Sequence, residues 1–79
     1  MELSKYTIEI ASDVNTCDGI GIGIYKNNEL LIEIFRDDTD KTRTISLFRN
    51  DISLNLVEET IEAFKKNIPW DFIDYEKFE

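Results

Sequence analysis

The apolar positions of the chain change period once. They recur every second residue up to about residue 48 and every third or fourth residue after it, so strands precede a helix. Residues 5–11 alternate Tyr6, Ile8 and Ile10 with Lys5, Thr7 and Glu9, the pattern of a half-buried strand. Residues 12–18 hold the turn formers Ser12, Asp13, Asn15 and Asp18 and read as a loop. A second strand is expected over residues 19–25, with Ile20, Ile22 and Ile24 on one face and Gly19, Gly21 and Gly23 on the other. Lys26-Asn27-Asn28-Glu29 is a tight turn, because Asn tolerates positive φ. A third strand follows over residues 30–36, where Leu30, Ile32 and Ile34 alternate with Leu31, Glu33 and Phe35.

The hairpin register follows from the turn. A two-residue turn at Asn27-Asn28 pairs Ile24 with Leu31 and Gly23 with Ile32. A three-residue loop pairs Ile24 with Leu30, Ile22 with Ile32 and Ile20 with Ile34. Because one residue of slip exchanges the two faces, only the second gathers six aliphatics on one side. A three-residue loop with Asn28 left-handed is therefore expected. Asp37-Asp38-Thr39-Asp40-Lys41 is the next turn, and residues 42–48 the fourth strand, with Ile45 and Leu47 inward.

The helix is predicted over residues 54–67. Ser53 can cap its first amides, and Ile52 with Val57 fits a hydrophobic staple. Leu54, Val57, Ile61, Phe64 and Ile68 recur on one face. Glu58, Glu59 and Glu62 toward the start and Lys65 and Lys66 toward the end suit the helix dipole. Pro69 ends the helix near Asn67. Residues 69–79 form a tail that alternates bulky aromatics with acids. The expected fold is α+β: a four-stranded antiparallel sheet in β-β-β-β-α order, with the C-terminal helix packed on one face and a short aromatic-acidic tail. The stripe is expected to cover Tyr6, Ile8, Ile10, Ile20, Ile22, Ile24, Leu30, Ile32, Ile34, Ile45 and Leu47.

Length and composition narrow the chemistry. Seventy-nine residues, 42% apolar and 11% aromatic, suit one domain over residues 1–79 with a modest core. There is one cysteine, Cys17, and no histidine, so there is no disulfide framework, and a structural zinc site, which would need four soft ligands, is not expected. Histidine-based nucleophile systems are excluded as well. Carboxylate chemistry remains open in principle, but one helix on one sheet offers little room for a deep pocket. A non-enzyme without cofactor or metal is expected. A reactive thiol needs its thiolate favoured, but the chain has no histidine and Asp13 and Asp18 stand near Cys17 in sequence, so Cys17 reads as a small loop residue. With no basic-then-apolar leader and a lone thiol, the expected location is cytoplasmic.

Two motifs invite stronger readings. Gly19, Gly21 and Gly23 alternate inside a strand and precede a hairpin, whereas a phosphate-binding loop runs from strand to helix. Their bare face instead admits a close neighbour, with Tyr25, Phe35, Trp70 or Phe72 as aromatic covers. Asp37, Asp38 and Asp40 lack the central glycine, distal glutamate and flanking helices of a calcium loop.

The net charge of -8 opposes nucleic acid and anionic membranes and favours either plain solubility or a basic partner. Residues 1–52 carry six basic and ten acidic side chains, and residues 53–79 carry three and seven, so half the excess lies in the shorter segment. The expectation is a small module that blocks a basic protein surface, such as an immunity protein, an antitoxin or an inhibitor of a nuclease-like partner. Glu58, Glu62, Asp71 and Asp74, with Asp37 and Asp38, would supply charge; Trp70 or Tyr75 would anchor it. The runners-up are a homodimer that buries the glycine face or an edge strand, and a small carboxylate-based enzyme or ligand binder.

Overall fold

The computed structural model of the chain describes residues 2–13 and 19–72. The loop around Cys17 and the tail beyond Phe72 lie outside them. A four-residue 3-10 turn, Glu2–Lys5, leads into β1 (Thr7–Asp13), β2 (Gly19–Lys26), β3 (Glu29–Asp37), β4 (Thr42–Leu47) and α1 (Leu54–Asn67). The four strands form one antiparallel sheet in the order β1-β2-β3-β4, followed by one helix, as the change of period predicts.

The β2–β3 hairpin departs from the expected loop. Asn27 (φ 53°) and Asn28 (φ 67°) are both left-handed, and Lys26 pairs with Glu29, so the turn has two residues. Its backbone twist matches that of the strands, which makes it the favoured short connection. The face problem is solved one step further on. The register shifts between Ile24 and Tyr25, so that Tyr25 pairs with Leu30 but Ile24 with Ile32, leaving Leu31 as an extra residue. This bulge sets Ile22 opposite Ile34 and keeps Ile22, Ile24, Ile32 and Ile34 on one side, whereas Leu30, expected with them, turns to the glycine face, where its Cδ1 lies 3.2 Å from the place of a Cβ on Gly23.

The helix covers the middle of that side. Ile22, Ile24 and Ile32 are fully buried, with Leu31 and Ile34 beside them, against Leu56, Phe64 and Ile68 of the helical segment and Leu3 of the N-terminal turn. Each buried side chain of this size contributes about 1.5–3 kcal/mol relative to exposure. Ile8 and Ile10 on β1 and Ile45 and Leu47 on β4 share this face through the register but stay 42–51% exposed. The full coverage expected from the pattern fails for a geometric reason. A helix about 10 Å across spans two or three strands spaced about 4.8 Å apart, not four.

The helix is also rotated from the expected stripe. Its buried line is Leu56, Thr60 and Phe64, with Val57 and Ala63 at the margin, while Leu54 is 70% and Ile61 36% exposed. Thr60 tolerates burial because its hydroxyl donates to the Leu56 carbonyl at 2.7 Å. Ser53 caps the helix, accepting from Leu56 N at 3.4 Å, and donates its own hydroxyl to Glu2 Oε1 at 3.1 Å. Glu59 in turn accepts from the amides of Glu2 and Leu3, both at 3.3 Å, and so ties the N-terminal turn to α1. Ile68 turns extended (φ -125°, ψ 124°) ahead of Pro69, which ends the helix after Asn67.

The opposite face of the sheet carries the glycines under an aromatic cover. A Cβ on Gly21 would lie 2.8 Å from Phe35 Cδ1 and 2.7 Å from the Ile34 carbonyl oxygen. One on Gly23 would lie 3.0 Å from the Tyr25 ring. Tyr25 and Phe35 are thus the covers, while Trp70 and Phe72 sit with Arg43 on the helix side.

Candidate interaction surface

Three sets of side chains can do chemistry or meet a partner. The first is the outer flank of α1. Glu58 and Glu62 are exposed at its second and third turns, and together with Glu2, Asn55 and Glu59 they line a shallow depression of about 340 Å³. Among the described residues, four of the five that line it are carboxylates and none is a cation, so their fields add. Glu59 is already committed to the N-terminal amides. Glu58 and Glu62 present the outward charge.

The second set lies where the chain leaves the helix. Arg36 and Arg43 face each other across β3 and β4 and grip two consecutive carbonyls. Arg36 Nη1 donates to Pro69 O at 2.6 Å, and Arg43 donates to Trp70 O from Nε at 3.0 Å and Nη2 at 2.7 Å. The Arg43 guanidinium also stacks 4.0 Å from the Trp70 ring centre and 4.2 Å from that of Phe72. Trp70 meets Phe64 edge-on at 6.3 Å, has Lys65 Nζ at 5.4 Å, and remains 47% exposed. Asp71 is exposed beside it.

The adjoining β3–β4 turn divides the acids expected there. Asp37 accepts from the amides of Thr39 (2.9 Å) and Asp40 (3.0 Å) and shapes the turn while remaining at the surface. Asp38 leaves the set of partner-facing acids. It is 3% exposed, and Arg36 holds it from Nη2 to Oδ2 at 3.1 Å. Arg36 Nε lies 2.9 Å from Oδ1, too far off the N–H direction for a hydrogen bond, so that second contact is electrostatic. The buried Arg36 compels this: a charge taken out of water needs its counter-ion. The sequence held one signal for it. Arg36 continues the inward series of Ile32 and Ile34 at the two-residue period.

The third set surrounds a depression of about 430 Å³ at the hairpin end, walled by Tyr6, Lys26, Leu31, Arg49 and Leu56. Arg49 hydrogen-bonds and pairs with Glu29 at its rim, which raises the arginine pKa above its ordinary value. Lys26 Nζ lies 5.8 Å from the Tyr6 ring centre.

The expected site therefore divides in space. Glu58 and Glu62 lie along α1, whereas Trp70, Asp71 and Asp37 lie at the end where the chain leaves it. From Glu62 to Ile68 the helical rise alone is about 9 Å. Asp74 and Tyr75 lie outside the described residues. Among the described residues, no three His, Cys, Asp or Glu side chains converge on a metal-sized site, and no helix is long and apolar enough to cross a membrane. Comparison with family models, with curated proteins and with solved structures found no match for the chain.

Proposed function

We propose that this chain is a non-catalytic protein-binding module whose α1 flank covers a basic surface on a partner protein. The observation that carries the reading is the depression on α1, lined among the described residues by four carboxylates and no cation. A surface rich in Lys and Arg, such as the substrate groove of a nuclease, is the complementary chemistry. Glu58 and Glu62 supply the central charges, and Asp71 and Asp37 extend the field at the far end. Half-exposed Trp70 is an aromatic anchor already stacked by Arg43, so seating it against a partner costs little further ordering. The absence of histidine from the whole chain supports a role without acid–base catalysis at neutral pH. Immunity proteins, antitoxins and nuclease inhibitors are the concrete versions, and cytoplasmic action is part of the same proposal.

Charge complementarity raises association rates and makes them fall with salt. Affinity capture from the native host at low and at high salt tests the reading. A basic protein recovered at low salt, released by salt and lost on reversing Glu58 and Glu62 is the expected result; no basic protein, or one indifferent to that reversal, contradicts it.

A further inference from the structure

Two side chains that the helical period assigns to the core face water instead. Leu54 and Ile61 are exposed, while the buried line of α1 runs through Leu56, Thr60 and Phe64. Successive residues turn about 100° around the axis, so Leu54 and Ile61, seven positions apart, lie within about 20° of one line. Glu58 stands about 40° and Glu62 about 80° from Leu54 on one side, toward the acidic depression that both help to line. On the other side, Ile61 borders a groove of about 180 Å³ beside Ile45, Phe64 and Trp70. The outer surface of α1 is thus divided lengthwise, apolar toward β4 and acidic toward Glu2.

Charge also changes along the helix. Lys65 follows Ile61 by one turn, and its Nζ lies 5.4 Å from the Trp70 ring centre. The carboxylates therefore precede the cation along α1.

Spacing limits the shape of what fits. Leu54 and Ile61 are about 10.5 Å apart along the axis. A helix laid alongside repeats an apolar position at the same seven-residue interval, so one of its faces meets both. An extended strand covers about 10 Å in three residues, an odd number that sends the two side chains to opposite faces. A surface of charge alone would leave Leu54 and Ile61 in water.

We infer that α1 receives an amphipathic helix of its partner. This rests on the reading of the α1 flank as partner-facing and adds the shape of what it binds. An apolar stripe of the incoming helix sits on Leu54 and Ile61, and the Lys and Arg of its adjoining stripe reach Glu58 and Glu62. Charge selects this occupant. A helix with acids on that second stripe is repelled by the four carboxylates of the depression, and a wholly basic one has nothing to set on the apolar line. Lys65 limits the register, because the incoming basic side chains must fall on the part of α1 that precedes it.

Calorimetric titration of the full chain with two synthetic peptides of about 18 residues, five helical turns, tests the inference. Both contain the same leucine, lysine and alanine. One sets leucine on a seven-residue repeat beside a stripe of lysine, and the other scrambles the order. At low salt the striped peptide should bind about tenfold more tightly than the scrambled one. Leu54→Ser with Ile61→Ser should abolish that difference and leave the weaker, salt-sensitive binding of the scrambled peptide unchanged. Leu54→Ser alone, at a side chain 70% exposed, should already weaken the striped peptide without disturbing the fold seen by circular dichroism. Glu58→Lys with Glu62→Lys should weaken both peptides. Equal binding of the two peptides, or a striped peptide indifferent to Leu54→Ser and Ile61→Ser, would overturn the inference and leave the basic-partner reading standing. Binding of neither peptide at low salt would overturn both.

Discussion

Arg36 and Asp38 form an ion pair sealed from water at the end of β3, with side chains 2% and 0% exposed. The arginine reaches on to the carbonyl of Pro69, so one buried cation joins the β3–β4 turn to the chain leaving the helix. Removing one partner of such a pair leaves a charge without compensation. Asp38→Asn and Arg36→Met should each cost about 3–5 kcal/mol in urea unfolding. The double variant Arg36→Met with Asp38→Leu should lose less than the sum, because it strands neither charge. Additive losses would show that the pair is not energetically coupled.

Gly21 lies beneath the Phe35 ring, where an added Cβ would meet the Ile34 carbonyl oxygen at 2.7 Å. Gly21→Ala should therefore destabilise the fold by about 1–3 kcal/mol. This opposes the usual gain from replacing a strand glycine, about 0.5–1 kcal/mol. A midpoint of denaturation higher than that of the parent would contradict the account of the glycine face.

Trp70 is the only tryptophan and reports directly on its arginine neighbour. Arg43→Ala removes the guanidinium 4.0 Å from the ring and the donors to its carbonyl. Emission should shift to the red as the ring gains solvent, with a stability loss of about 1 kcal/mol. Arg43→Lys should not restore the spectrum, because an ammonium cannot stack flat and bond in a fork at once. An unshifted spectrum in Arg43→Ala would show that the ring is held by Phe64 alone.

Ser53 serves both the helix and the N-terminal turn. Ser53→Ala should cost about 1 kcal/mol and speed amide exchange at Leu56, whose N–H the hydroxyl oxygen accepts. Unchanged exchange at Leu56 would remove the cap from the account.

The elements were legible where a single period repeats. Ile20, Ile22 and Ile24, the asparagine pair, Ser53 and Pro69 announce the strands, turn and helix ends, because each acts on its own neighbours. What was not legible depends on competition between elements. The wish to keep Ile22 and Ile24 with Ile32 and Ile34 could be met by a longer loop or by a bulge at Leu31, and only the backbone twist of the two-asparagine turn decides for the bulge. The helix rotation that buries Thr60 and exposes Leu54 follows from packing on two strands. Of the expected surface, Glu58 and Glu62 stand outward as the helical period places them. Asp38 does not, because a turn acid is drawn inward by a cation two residues away, and that cation is identifiable only by extending the inward parity of β3 to Arg36.

The central proposal, that the acidic flank of α1 meets a basic protein, is tested most directly by charge reversal. The parent and the Glu58→Lys, Glu62→Lys variant are compared as baits in the host extract across a salt series, with captured proteins identified by mass spectrometry. The account predicts a basic protein held by the parent at low salt, progressively released as salt rises, and not held by the variant. Equal capture of that protein by both baits, or no basic protein with either, would contradict it.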